Sequence, residues 1–146
     1  MRLALIVCLV VSVSACSGNS TGPTSASGDN AVNIAGAWNG TIVSSNNETM
    51  QVKMVLTQSG TQVSGTWDSS TVRWSGDISG AVSGSKFDGQ FKFSGMASDS
   101  TMCTGTATVT GAATDSTMTW TSANGVVGGA CPAPLPIGLR IEVQRQ

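Results

Sequence analysis

The chain has 146 residues, room for one domain and a leader but not for two sizeable domains. Seven Lys+Arg against eight Asp+Glu leave a net charge of −1, and only 10% of the chain is charged, which excludes the basic footprint of a general nucleic-acid binder. There is no histidine, so triads with a histidine base, histidine-held metals and the usual switch near neutral pH are excluded as well.

The chain opens with Arg2 and an apolar run over residues 3–13, interrupted only by Ser12 and too short for a permanent membrane-spanning helix. Val13-Ser14-Ala15-Cys16 follows directly and resembles the bacterial lipobox: an aliphatic residue, two small residues and a cysteine. The resemblance implies that residues 1–15 are a lipoprotein signal peptide. It also implies that Cys16 takes diacylglycerol on its thiol, becomes the new N-terminus and is N-acylated. An ordinary secretory signal with an incidental cysteine is the alternative, and the place of Cys16 at the end of the apolar run speaks against it. Several acyl chains, at about 0.8 kcal/mol per buried methylene, would anchor the chain in a membrane of the bacterial cell envelope. Ser17 stands where enterobacterial lipoproteins kept at the inner membrane carry Asp, so the resemblance favours the outer membrane. Residues 16–33, from the acylated cysteine through a Ser/Thr/Gly-rich stretch, have little to bury and read as a linker; the domain is expected over 34–146.

Of the four cysteines, Cys8 leaves with the leader and Cys16 carries lipid. Cys103 and Cys131 remain in an oxidising compartment and are expected to form a disulfide. Closing such a loop contributes about 3–4 kcal/mol in the chain-entropy model. A reactive or metal-binding pair would need nearby histidine or basic groups to lower a thiol pKa, and the sequence offers none close by.

From Gly36 onward, apolar and polar residues alternate with period two, the pattern of half-buried strands. Eight strands are expected at 36–43, 48–58, 61–68, 71–82, 86–94, 102–111, 116–122 and 137–145. Their apolar faces carry Trp38 and Ile42; Met50, Val52, Met54 and Leu56; Val63 and Trp67; Val72, Trp74, Ile78 and Val82. The later strands add Phe87, Phe91 and Phe93; Cys103, Ala107 and Val109; Met118 and Trp120; Ile137, Leu139, Ile141 and Val143. Consecutive strands with short connections and one apolar face predict an all-β domain, an eight-stranded antiparallel up-and-down barrel. A membrane-spanning barrel is excluded by its faces: the polar one carries Lys53, Arg73, Asp77, Lys92, Arg140 and Glu142, and the other is too aromatic for a wet channel.

Gly36-Ala37-Trp38 resembles the opening Gly-x-Trp of the calycins, the lipocalin, fatty-acid-binding and avidin barrels. In that group the first-strand tryptophan packs across the closed end under a basic residue from the last strand. Arg145 shares the inward parity of Ile141 and Val143, whereas Arg140 points outward, so the resemblance puts Arg145 over Trp38. Val63-Ser64-Gly65-Thr66-Trp67 resembles an aromatic-bearing stretch of avidin-type barrels. The biotin-contacting tyrosine and the aspartate near the C-terminus of that group have no counterpart, so biotin binding is not carried over. Connections are short at the Trp38 end and longer at the other, which predicts a closed bottom near the tether and a looped mouth facing away.

A cavity among the inward residues would be apolar, with Met54, Trp67, Trp74, Phe91, Phe93 and Trp120 as its expected lining, and would suit one small hydrophobic ligand. The other expectation is a filled barrel that acts through its loops as an envelope interaction or inhibitor protein, with the apolar stretch 123–136 as a partner patch or a stapled crossover. The carboxylates Asp68, Asp77, Asp88, Asp99 and Asp115 show no convergent pair and the serines no general base. The expectation is a binding protein rather than an enzyme, with no cofactor or metal.

Overall fold

The computed structural model describes residues 30–45, 47–96, 101–129, 131 and 138–146. The expected signal peptide, residues 1–15, and the lipidation site Cys16 lie outside the described residues. The described chain is all-β: β1 (Gly36–Val43), β2 (Thr49–Ser59), β3 (Gln62–Ser69), β4 (Trp74–Ser83), β5 (Lys86–Met96), β6 (Met102–Ala113), β7 (Thr117–Gly129) and β8 (Arg140–Arg145). Each strand pairs antiparallel with the next and β8 returns to β1, which closes an eight-stranded up-and-down barrel.

Period-two burial produces this closure. In β2, Val52, Met54 and Leu56 are buried while Gln51, Lys53, Val55 and Thr57 are exposed, and β5 repeats the pattern with Phe87, Phe91 and Phe93. All four tryptophans and all three phenylalanines face inward, most of them fully buried. Closing the sheet removes every edge over the length of the shared ladder, so backbone donors and acceptors there are paired without help from side chains. The β2–β3 and β4–β5 hairpins turn on Gly60 and Gly84, at φ 60° and 57°. Positive φ at the first central position matches the twist of tight hairpins and is open to glycine without strain.

Three strands differ from the sequence expectation. β4 starts at Trp74, since residues 71–73 bend rather than extend, and β8 starts at Arg140 rather than at 137. The largest difference is β7, which runs on to Gly129 instead of ending at 122. Thr108 pairs with Asn124 but Val109 pairs with Ser122, so Ala123 is an extra residue in β7, a bulge. The bulge switches the inward phase from Met118, Trp120 and Ser122 to Gly125 and Val127, which lie opposite Ala107 and Gly105. Residues 123–129, expected as part of an apolar loop, are therefore strand. Ser122 is the buried polar side chain at the hinge of this change, and its hydroxyl accepts the Leu139 N–H at 2.8 Å.

Cys103 and Cys131 are bonded across a separation of 28 residues. The bond ties the chain just after β7 to the start of β6.

At the closed end Trp38 is fully buried, and the Arg145 guanidinium carbon lies 4.5 Å above its ring. The same guanidinium donates to Ala35 O at 2.5 Å, to Asn33 O at 2.6 Å and to Asp115 O. The first two carbonyls belong to a strap, residues 31–35, laid across the barrel bottom, and the third to the β6–β7 turn. Ile34 plugs the end and its carbonyl accepts the Trp38 indole N–H at 3.0 Å. The Gln58 side chain accepts from Ile34 N at 2.8 Å and donates to Val32 O at 3.1 Å, and Val32 N bonds Gly84 O at 2.9 Å. The last residues of the expected linker are thus packed with the barrel. Replacing Arg145 by alanine removes a cation–π contact and leaves several carbonyls to find water. Urea unfolding of Arg145→Ala should show about 2–3 kcal/mol lost, and Arg145→Lys should recover little because an ammonium cannot bond three carbonyls from one plane.

Candidate functional site

At the end opposite the strap, β1, β3, β5 and β7 finish and β2, β4, β6 and β8 begin. A recess of about 30 Å³ lies inside this end, lined by Ile42, Met50, Trp67, Trp74, Phe91, Phe93 and Leu139. Each of these side chains reaches the recess because it is an inward residue on the mouth half of its strand, apart from Leu139, which precedes β8 and is held down by Ser122.

Two aromatic stacks form the wall. Trp67 and Phe91 stack at 4.5 Å between centroids, and Trp74 and Phe93 at 5.7 Å, both within 25° of parallel. The indole N–H groups fix the rings: Trp67 donates to Lys92 O at 2.8 Å and Trp74 to Met96 O at 3.2 Å. Inward glycines make room for them. A Cβ on Gly95 would stand 2.5 Å from Trp74 Cγ, and one on Gly105 would stand 2.2 Å from Phe93 Cζ. Met50 and Trp74 are only half-buried, so the recess wall is partly in contact with solvent.

Of the six residues expected to line a cavity, the structure brings Trp67, Trp74, Phe91 and Phe93 together at the recess. Met54 and Trp120 do not line it. Met54 is buried in the packed interior, and Trp120 stacks on Phe87 at 4.3 Å in the half of the barrel nearer the strap. The Trp120 indole N–H has no acceptor among the described residues, so stacking and apolar packing alone hold that ring. A ligand cavity is typically about 300–1,000 Å³, and the recess is an order of magnitude smaller.

The surface around this end carries part of the apolar stretch 123–136 expected as a partner patch, together with residues the sequence analysis did not place there. Among the described residues the exposed large apolar side chains are Val55, Val72, Met96, Met102, Val126 and Val127. All but Val55 lie at the mouth: Val72 between β3 and β4, Met96 at the end of β5, Met102 at the start of β6, and Val126 and Val127 near the end of β7. Met96 and Met102 are apolar at outward positions of their strands, which the sequence could have shown, whereas Val72, expected on the inward face, lies exposed in the bend before β4. Among the described residues no group of three acidic, cysteine or histidine side chains is arranged to hold a metal, and no helix is long and apolar enough to cross a membrane.

No family model, curated protein or solved structure gives a significant match to the chain. The recess depends on glycine at position 95. Gly95→Ala should force Trp74 out of its stack, with about 1–3 kcal/mol lost in urea unfolding and a red shift in tryptophan emission.

Proposed function

We propose that this protein is an acylated lipoprotein of the bacterial envelope that works as a binding module, holding an apolar group of a partner protein against the mouth of a filled barrel. The observation that carries this reading is the distribution of apolar surface. Five of the six large apolar residues exposed among the described residues stand at one end, the end that holds an aromatic recess. The other end is sealed by Ile34, Trp38 and Arg145. Exposed apolar side chains gathered at one end of an otherwise hydroxyl-rich surface are the mark of an interaction site. A recess of about 30 Å³ suits the tip of one apolar side chain better than a whole lipid.

The anchor in this reading is lipid on Cys16, in the outer membrane rather than the inner. Its support is the lipobox resemblance and the serine at position 17. A binding role is preferred to a catalytic one because Asp68, Asp77, Asp88 and Asp115 are all exposed and no two of them are cross-strand partners. Low charge speaks against nucleic acid as the partner.

A second reading, carriage of one small apolar ligand, draws support from the wholly apolar recess and from Met50, whose flexible thioether could yield to a guest. Native mass spectrometry of the chain from residue 17 onward, gently isolated, separates the two. A bare mass, unchanged after incubation with fatty acids and quinones, is expected; a reproducible added mass released by organic solvent would make the protein a carrier. A photo-crosslinking side chain placed at Val126 should capture a partner in intact cells while one at Val55 does not, and equal capture at both positions would defeat the mouth as the site. Cells fed a palmitate analogue should label the wild-type chain and not Cys16→Ser; label retained by the variant would overturn the acylation.

A further inference from the structure

Two of the mouth residues are thioethers placed side by side. Met96 and Met102 are cross-strand partners at the top of the β5–β6 ladder, 40% and 56% exposed. The other methionines described are Met54 and Met118, both buried, and Met50, half-buried in the recess. Directly opposed residues of antiparallel strands bring their Cβ atoms within about 5 Å. Both sulfurs therefore sit on one small patch of the outer rim, with the Ser94 hydroxyl donating to Met102 Sδ at 3.5 Å.

We propose that Met96 and Met102 form a methionine oxidation site whose co-substrate is a hydroperoxide. A lone pair on Sδ attacks the terminal peroxide oxygen. The S–O bond forms as the O–O bond breaks, and the proton of the transferred oxygen passes to the departing alkoxide or hydroxide, which leaves as alcohol or water. Sulfur gives up two electrons and the peroxide takes them, so the products are a sulfoxide and an alcohol or water. Access decides which sulfur reacts, and access here differs between the rim pair and the buried residues. Met102 leads, because it is the more exposed of the two and because the Ser94 hydroxyl can turn from sulfur to the oxygen arriving on it, opposing the negative charge that grows there. The modification replaces two apolar side chains of the rim by strongly polar ones. The site stands on exposure and pairing, whether or not the mouth is where a partner binds.

The test is peptide mapping of the whole mature protein, isolated from envelopes and exposed to hydrogen peroxide for increasing times. Sulfoxide should appear at Met102 first and Met96 next, roughly tenfold ahead of Met54 and Met118. The melting temperature should stay constant through this phase. Met96→Leu with Met102→Leu should fold normally, since leucine matches methionine in volume, and should lose the early gain of two oxygens. Oxidation of Met54 or Met118 at the same rate as the rim pair, or an early two-oxygen gain that survives in the double variant, would overturn the proposal. Ser94→Ala should narrow the lead of Met102 over Met96; an unchanged lead would remove Ser94 from the site.

Discussion

The interior of a closed eight-stranded barrel is a fixed volume, and everything else in this structure follows from how seven aromatic side chains share it. A sheet that closes cannot splay to admit bulk, so each ring must be matched by a gap on a neighbouring strand. Inward glycines supply the gaps. Phe87 and Trp120 stack across Gly111, and Trp74 and Phe93 lie over Gly95 and Gly105. The match is tight enough that added methyl groups would collide with rings or with the backbone of the adjacent strand. Packing of this kind leaves little space beside the stacked rings, and that directs attention to the two ends of the barrel.

The two ends are built from opposite materials. At the bottom, one guanidinium gathers the strap, the β6–β7 turn and the first-strand tryptophan, so the end is closed by polar bonds to backbone around an apolar plug. At the mouth, aromatic stacks stop short of filling the opening, and valines and methionines face water around it. Exposed apolar surface that contributes nothing to the core carries a solvation cost, and of the large apolar side chains exposed among the described residues only Val55 bears that cost away from the mouth. The disulfide holds the chain after β7 to β6 at that same end, which keeps Val126 and Val127 in place beside the recess.

Period-two alternation made most of the barrel legible, because in a closed sheet with one buried face the side-chain period is a direct record of burial. Arg145 was legible for the same reason: counting parity from Ile141 brought it inward, and the geometry of antiparallel closure put the end of β8 against the start of β1. The same rule hid the end of β7. Ala123 is one extra residue, and one residue is enough to move every following side chain to the other face, so 123–129 lost its alternation and looked like a loop. The strap was hidden for a different reason. Val32, Asn33 and Ala35 contribute backbone carbonyls and one N–H rather than side chains, and such roles leave no pattern in sequence. The recess was half legible: inwardness identified its aromatics, but which rings fill the interior and which stand at the mouth depends on the level each strand reaches in the barrel. Trp120 and Trp74 have the same parity signal and opposite fates.

The strap also bears on where the mouth points. The chain enters the barrel at the sealed end, and 13 residues lie between Cys16 and Asn30. At about 3.3–3.6 Å per residue that stretch reaches at most about 50 Å. A barrel built on strands of up to 13 residues, tilted by about 40°, stands roughly 30 Å tall. With Cys16 acylated, bringing the mouth to its own membrane would draw more than half of that reach out along the barrel wall, whereas the sealed end meets the membrane with the stretch unextended. On the proposed acylation of Cys16, that length would place the strap toward the lipid and the apolar rim away from it. A partner of the rim would, on the same proposal, belong to the compartment beyond rather than to the bilayer that carries the anchor.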